Sequence, residues 1–127
     1  MATTPQYASI PKNTFASLTT ANSALTGASA VIVFTAGASG ARIDTIHMHA
    51  TGTTTAGMIR IFCGAAADAT AALIAEIPVL ANTPNSTNPA WSADVDIDLI
   101  MQANYILSAT TANTQTFDVM IKKGGSF

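Results

Sequence analysis

Two stretches near the middle of the chain alternate apolar and polar positions. Residues 42–49 (RIDTIHMH) and 58–63 (MIRIFC) carry β-branched or aromatic residues in a two-residue period, which suits strands packed on one face. They read as neighbours in a sheet. The link between them, 51–57 (TGTTTAG), is too polar and too flexible to extend either strand and too long for a two-residue turn. A wide hairpin loop is expected there.

The same periodicity recurs along the chain. Residues 92–99 set Val95, Ile97 and Leu99 on one face and Asp94, Asp96 and Asp98 on the other. Residues 116–122 set Phe117, Val119 and Ile121 against Asp118, Met120 and Lys122. Further strands are expected at 15–20, 30–35 and 104–110. The ambiguous stretch is 65–76, whose alanine content suits a helix. Gly64 before it, Pro78 behind it and the β-branched Ile74, Ile77 and Val79 favour a turn near Ala67 and Asp68, then a strand over 72–80. Pro78 places that strand at a sheet edge or a bulge. Residues 82–90 (NTPNSTNPA) form a loop. Residues 1–14, with Pro5 and Pro11, are expected to be an extended arm, either a disordered tail or docked on this subunit or a neighbour, and 15–127 a single domain. The tail 124–127 is expected to be flexible, with Phe127 free to enter a groove. About eight short strands with frequent turn signals predict an all-β fold, an antiparallel β-sandwich that is jelly-roll-like by strand count.

Composition changes the picture in one respect. Of the 127 residues 49% are hydrophobic and only 9% are charged, against about 25% for ordinary soluble domains. So little charge leaves a free monomer poorly protected from association, and much of the surface is expected to be covered by other protein. No apolar run approaches the roughly 20 residues of a membrane-spanning helix, so no membrane partner is expected. A net charge of −2 offers no basic footprint for nucleic acid. The first seven residues lack the basic start and apolar run of a secretory signal, so synthesis in the cytoplasm is expected. Cys63 is the single cysteine, and its place in a strand pattern makes it a small core residue.

Candidate chemistry is sparse. His47 and His49 share a strand face, and such a pair with a third ligand can hold zinc or iron, as in cupin-like sandwiches. No other histidine exists to complete that set, and a solvent- or interface-facing pair is the simpler reading, with Ile46 and Met48 turned inward. The row Asp94, Asp96, Asp98 has the spacing that opens a calcium loop, but Leu99 and Tyr105 stand where glycine and glutamate are required. A solvated acidic face, or one paired with Arg42, Arg60 or Lys122, is expected instead. No nucleophile–base pattern or phosphate-binding loop occurs, so neither an enzyme nor a cofactor is expected. Trp91 with Tyr7 and Tyr105 could build a sugar-stacking platform, although a lone tryptophan after a loop more often anchors a core or an interface.

The stretch 41–64 and the stretch 73–127 resemble small proteins encoded by tailed bacteriophages among their structural genes. The matching features are the turn at 50–57 (ATGTTTAG), Met58 to Phe62 (MIRIF), Glu76 to Val79 (EIPV), the Thr83-Pro84 loop and Gly124-Gly125; the Ala-rich 64–72 departs from the pattern. The resemblance implies a virion component located on the capsid surface: a head decoration or cement protein, without enzymatic activity, whose partner is the major capsid protein. It is expected to work as a homo-oligomer, with a trimer favoured. Tyr7, Ile10, Trp91 and Phe127 are the candidate interface residues, because termini and loops reach beyond a sandwich edge. The alternatives are a glycan-binding tail or fibre module using Trp91 and Tyr105, and a cupin-like metalloprotein using His47 and His49.

Overall fold

A computed structural model describes residues 8–127, and within them the chain forms nine strands. They are β1 (Ile10–Pro11), β2 (Phe15–Leu18), β3 (Val31–Thr35), β4 (Ala41–Ala50), β5 (Gly57–Gly64), β6 (Ala72–Val79), β7 (Ser92–Met101), β8 (Ile106–Thr111) and β9 (Phe117–Ser126). One sheet runs β1-β9-β4-β7, with β2 also paired to β9, and the other runs β3-β8-β5-β6. All the pairings between strands are antiparallel. The architecture is an antiparallel β-sandwich, as the alternating patterns predict.

The ladders nest. β5 pairs with β6, β4 with β7, β3 with β8 and β2 with β9, so the chain is one long antiparallel ribbon doubled back at residues 65–71 and rolled so that successive strand pairs alternate between sheets. Ile43, Ile46, Met48, Ile59, Ile61, Leu107, Val119 and Ile121, all with 0 to 1% of their surface exposed, fill the space between the sheets. The two-residue period alone would put Ile43 and Ile46 on opposite faces. A bulge between Ile43 and Thr45 turns both inward.

The 72–79 segment is a strand because its inward positions Ile77 and Val79 are buried while Ile74, Glu76 and Pro78 face out. It pairs only with β5, so Pro78 lies at a sheet edge, where a missing N–H costs no ladder bond. The turn before it is held by Asp68, whose Oδ1 accepts the Thr70 N–H at 2.8 Å and whose carbonyl accepts the Ala71 N–H at 3.1 Å.

Residues 19–30 cross the outer face of the second sheet. The Asn22 N–H donates to the Thr111 carbonyl at 2.8 Å, the Arg60 guanidinium reaches the Ser23 carbonyl at 3.5 Å, and a Cβ on Gly27 would stand 2.5 Å from the Asp68 carbonyl oxygen. Phe62 and Ser108, register partners on β5 and β8, are fully buried outside the main core.

One expectation needs correction at the C-terminal end. The tail 124–127 is not flexible: β9 continues to Ser126, between Ala41–Ile43 on one side and Ile10–Pro11 on the other. The glycines make that possible. A Cβ on Gly125 would lie 2.1 Å from the Ile10 carbonyl oxygen, and one on Gly124, at φ +153°, 2.6 Å from that of Arg42. The described part of the arm docks on its own subunit. The Lys12 N–H donates to the Gly124 carbonyl at 3.1 Å, Asn13 Nδ2 to the Ile121 carbonyl at 2.9 Å, Thr14 Oγ1 to the Val33 carbonyl at 2.8 Å, and the Ile121 N–H to the Thr14 carbonyl at 3.0 Å.

Candidate functional surfaces

The outer face of the first sheet gathers most of the ionisable side chains. Beyond the bulge, β4 presents His47 and His49 outward, as expected, with Ile46 and Met48 buried behind them. Cross-strand pairing sets His47 opposite Asp94 of β7, and Nδ1 of the ring lies 2.5 Å from Asp94 Oδ1. The other oxygen of that carboxylate accepts from Lys122 on β9. Asp94 is thus spanned by two donors from two strands. The Lys122 hydrogen bond first, and the His47 contact second, hold its carboxyl below the usual aspartate range. Two residues along, at the next pair on the same face, Thr45 Oγ1 donates to Asp96 Oδ1 at 2.7 Å. Arg42 pairs with Asp44 at 2.8 Å, Arg60 with Glu76 at 2.8 Å, and Ser17 donates to Asp118 at 2.7 Å. The acidic row therefore takes Lys122 as its basic partner and leaves Arg42 and Arg60 to nearer carboxylates.

This lattice is built for cross-strand register. The rings of His47 and His49 stack with centroids 6.0 Å apart, but among the described residues no three of His, Cys, Asp or Glu converge closely enough to hold a metal ion. The described residues do not bring a third ligand to His47 and His49. Cys63 is half-buried against the core, and burial pushes its thiol up, away from the thiolate that reactivity requires.

Trp91 and Tyr105 are not brought together. Trp91 precedes Ser92 at the start of β7, and its carbonyl accepts the Ala50 N–H at 2.8 Å. Tyr105 follows the far end of that strand, its carbonyl accepting the Ala36 N–H at 2.8 Å. The ten residues of β7 separate them by roughly 30 Å. Trp91 is half-buried and meets Phe117 edge-on, with centroids 5.8 Å apart at 87°. It acts as a plug at its end of the sandwich. Phe127 is half-buried too, packed over Gly40, with its N–H donating to the Gly40 carbonyl at 3.2 Å. Ile10 is 51% exposed. Tyr7 lies outside the described residues.

Sequence reasoning missed the loops around Trp91 as a unit. The N–H of Thr54 and the carbonyl of Asn82 bond at 2.8 Å, Thr54 Oγ1 donates to the Leu80 carbonyl at 2.7 Å, and Asn88 Nδ2 donates to Asn82 Oδ1 at 2.8 Å and to the Thr83 carbonyl at 2.7 Å. Asn113 Nδ2 and Gln115 Nε2 both donate to Thr55 Oγ1, at 3.0 and 2.7 Å. Loops 51–56, 80–91 and 112–116 are thus cross-braced into a polar end that contains no charged residue. The signal lay in the repeated Asn and Thr of 82–90, read only as turn formers. On the second sheet's free edge, Leu73, Ile74, Ala75 and Glu76 line an open depression of about 250 Å³, whose single carboxylate is the one paired with Arg60.

No protein-family model matches the chain, and no curated protein is similar to it.

Proposed function

We propose that this protein is a non-catalytic structural component of a tailed bacteriophage, an oligomeric decoration or cement protein that binds the major capsid protein on the head surface. The observation that carries this reading is the pairing of a charge-poor sequence with large apolar side chains left in solvent. Phe15, Leu25, Leu80 and Ile100 each keep 63 to 68% of their surface exposed. Scattered exposed apolar residues are ordinary, but with only 9% charged residues around them they favour contact with other protein. The resemblance of 41–64 and 73–127 to phage structural proteins gives the kind of partner.

The mechanism is additive. Each copy buries modest area across a junction between capsomers, and many copies on a lattice supply avidity that no single contact has. The braced, uncharged loop end around Trp91 suits that role, because rigid loops lose little entropy on docking. The test is to assemble empty heads from the shell protein of the encoding phage, add the purified chain and image the particles by electron microscopy. Density at regular positions on the shell is the expected result. Bare heads at saturating protein, or stoichiometric transition metal in chain purified without chelator, would overturn the reading.

A further inference from the structure

Outside residues 19–30, where Leu25 sits, the exposed large apolar side chains fall into two sets on opposite edges of the sandwich. Ile10, Phe15 and Ile32, exposed by 51, 66 and 49%, lie on β1, β2 and β3. Ile74, Leu80 and Ile100, exposed by 39, 68 and 68%, lie on or just after β6 and on β7. In each sheet these strands are the two ends of the strand order.

Charge divides the same way. Lys12 sits between β1 and β2, and its backbone bonds to Gly124, next to Lys123. Neither lysine has an ion-pair partner among the described residues. On the opposite edge Asp96 and Asp98 are exposed, and among the described residues neither has a cationic partner. Asp118, which accepts from Ser17 of β2, is the carboxylate beside the first edge, so that edge is apolar with a net positive charge from Lys12 and Lys123, and the other is apolar and acidic.

Neither edge suits extension by an added strand. β2 has only four residues, β3 carries a bulge between Ile32 and Phe34, β6 contains Pro78, and β7 is interrupted at Asp98, which has φ +44°. Contact must then run through side chains.

We propose that copies of this chain associate head to tail, the β1–β3 edge of one docking on the β6–β7 edge of the next. The occupant is fixed by complementarity: each edge would repel its own kind, Lys12 against Lys12 or Asp96 against Asp96, and attract the other. A contact between two different patches is heterologous, so it propagates around a ring or along an open chain and does not stop at a two-fold dimer. This inference deepens the oligomeric part of the proposed function, and its test uses no capsid, so the two stand or fall separately.

The experiment is sedimentation velocity on the full chain, on F15E, on I100E and on their equimolar mixture. The parent is expected to form species larger than a dimer, and each variant alone to be monomeric. The mixture should form a 1:1 dimer and nothing larger, because one intact edge survives on each partner and the two altered edges repel. Both positions are solvent-exposed, so unfolding midpoints should match the parent; K12E and D96K, each alone, repeat the single-variant arm without touching an apolar residue and are likewise expected to be monomeric. A parent that stays monomeric at every concentration, loss of association in only one variant, or a mixture that stays monomeric would overturn the proposal.

Discussion

At Asp94 a single carboxylate joins three strands, and its titration should be visible in stability. Lys122 and His47 hold its pKa below the unfolded value, so its contribution is fully present above the ordinary aspartate range, near pH 4, and is lost as pH falls through the lowered folded pKa. Urea midpoints of the parent and D94N should therefore differ at neutral pH and converge in acid; parallel curves would show that the carboxylate does not couple the strands. Gly124 tests the opposite end of the scale, where the constraint is steric. A Cβ there meets the Arg42 carbonyl oxygen at 2.6 Å and Ile43 Cα at 3.0 Å in a conformation that L side chains rarely adopt. G124A should cost about 1–3 kcal/mol in urea unfolding, as strained or overpacked sites do. An unchanged midpoint would mean that β4 and β9 separate there freely.

Strands differ in how much they bury, and mutation should rank them. β4 lies between two neighbours and its Ile46 is fully buried, whereas β7 is an edge strand whose inward Val95, Ile97 and Leu99 are only half-buried. I46A is expected to cost about 2–5 kcal/mol and V95A well under half as much, read from chemical denaturation. Equal costs would mean that the β7 edge is as closed as the centre. The strands with a clear alternation were the most legible, from Val95, Ile97 and Leu99 of β7 to Phe117, Val119 and Ile121 of β9, while β3 showed itself as a short continuous apolar run. What local pattern could not reveal was contact across sequence. The glycines at 124 and 125 look like a loose tail until β4 and β1 are seen to approach them. The bulge at Ile43–Thr45 depends on partners in two other strands, as does the Lys122 bond to Asp94. Trp91 and Tyr105, fourteen residues apart, give no hint that a whole strand divides them.

For the whole molecule, the nested ladders dictate slow assembly. Phe15 must find Met120 and Val31 must find Ala109, and closing such loops costs entropy before any contact returns it. Refolding followed by the fluorescence of the only tryptophan, Trp91, is expected on a timescale of milliseconds to seconds, as for other all-β sandwiches. A microsecond phase carrying the full amplitude would mean that the outer ladders are not required for the native signal. The same nesting puts Ile10 beside Ser126. The first and last strands of the described residues are thus neighbours at one corner, while residues 65–71 form, among the described residues, the tip at which the ribbon doubles back. Circularly permuting the gene, with a short linker joining Phe127 to Ala8 across that corner and fresh termini opened at 65–71, would preserve every ladder while turning the outermost pairing, β1 and β2 with β9, into a local hairpin.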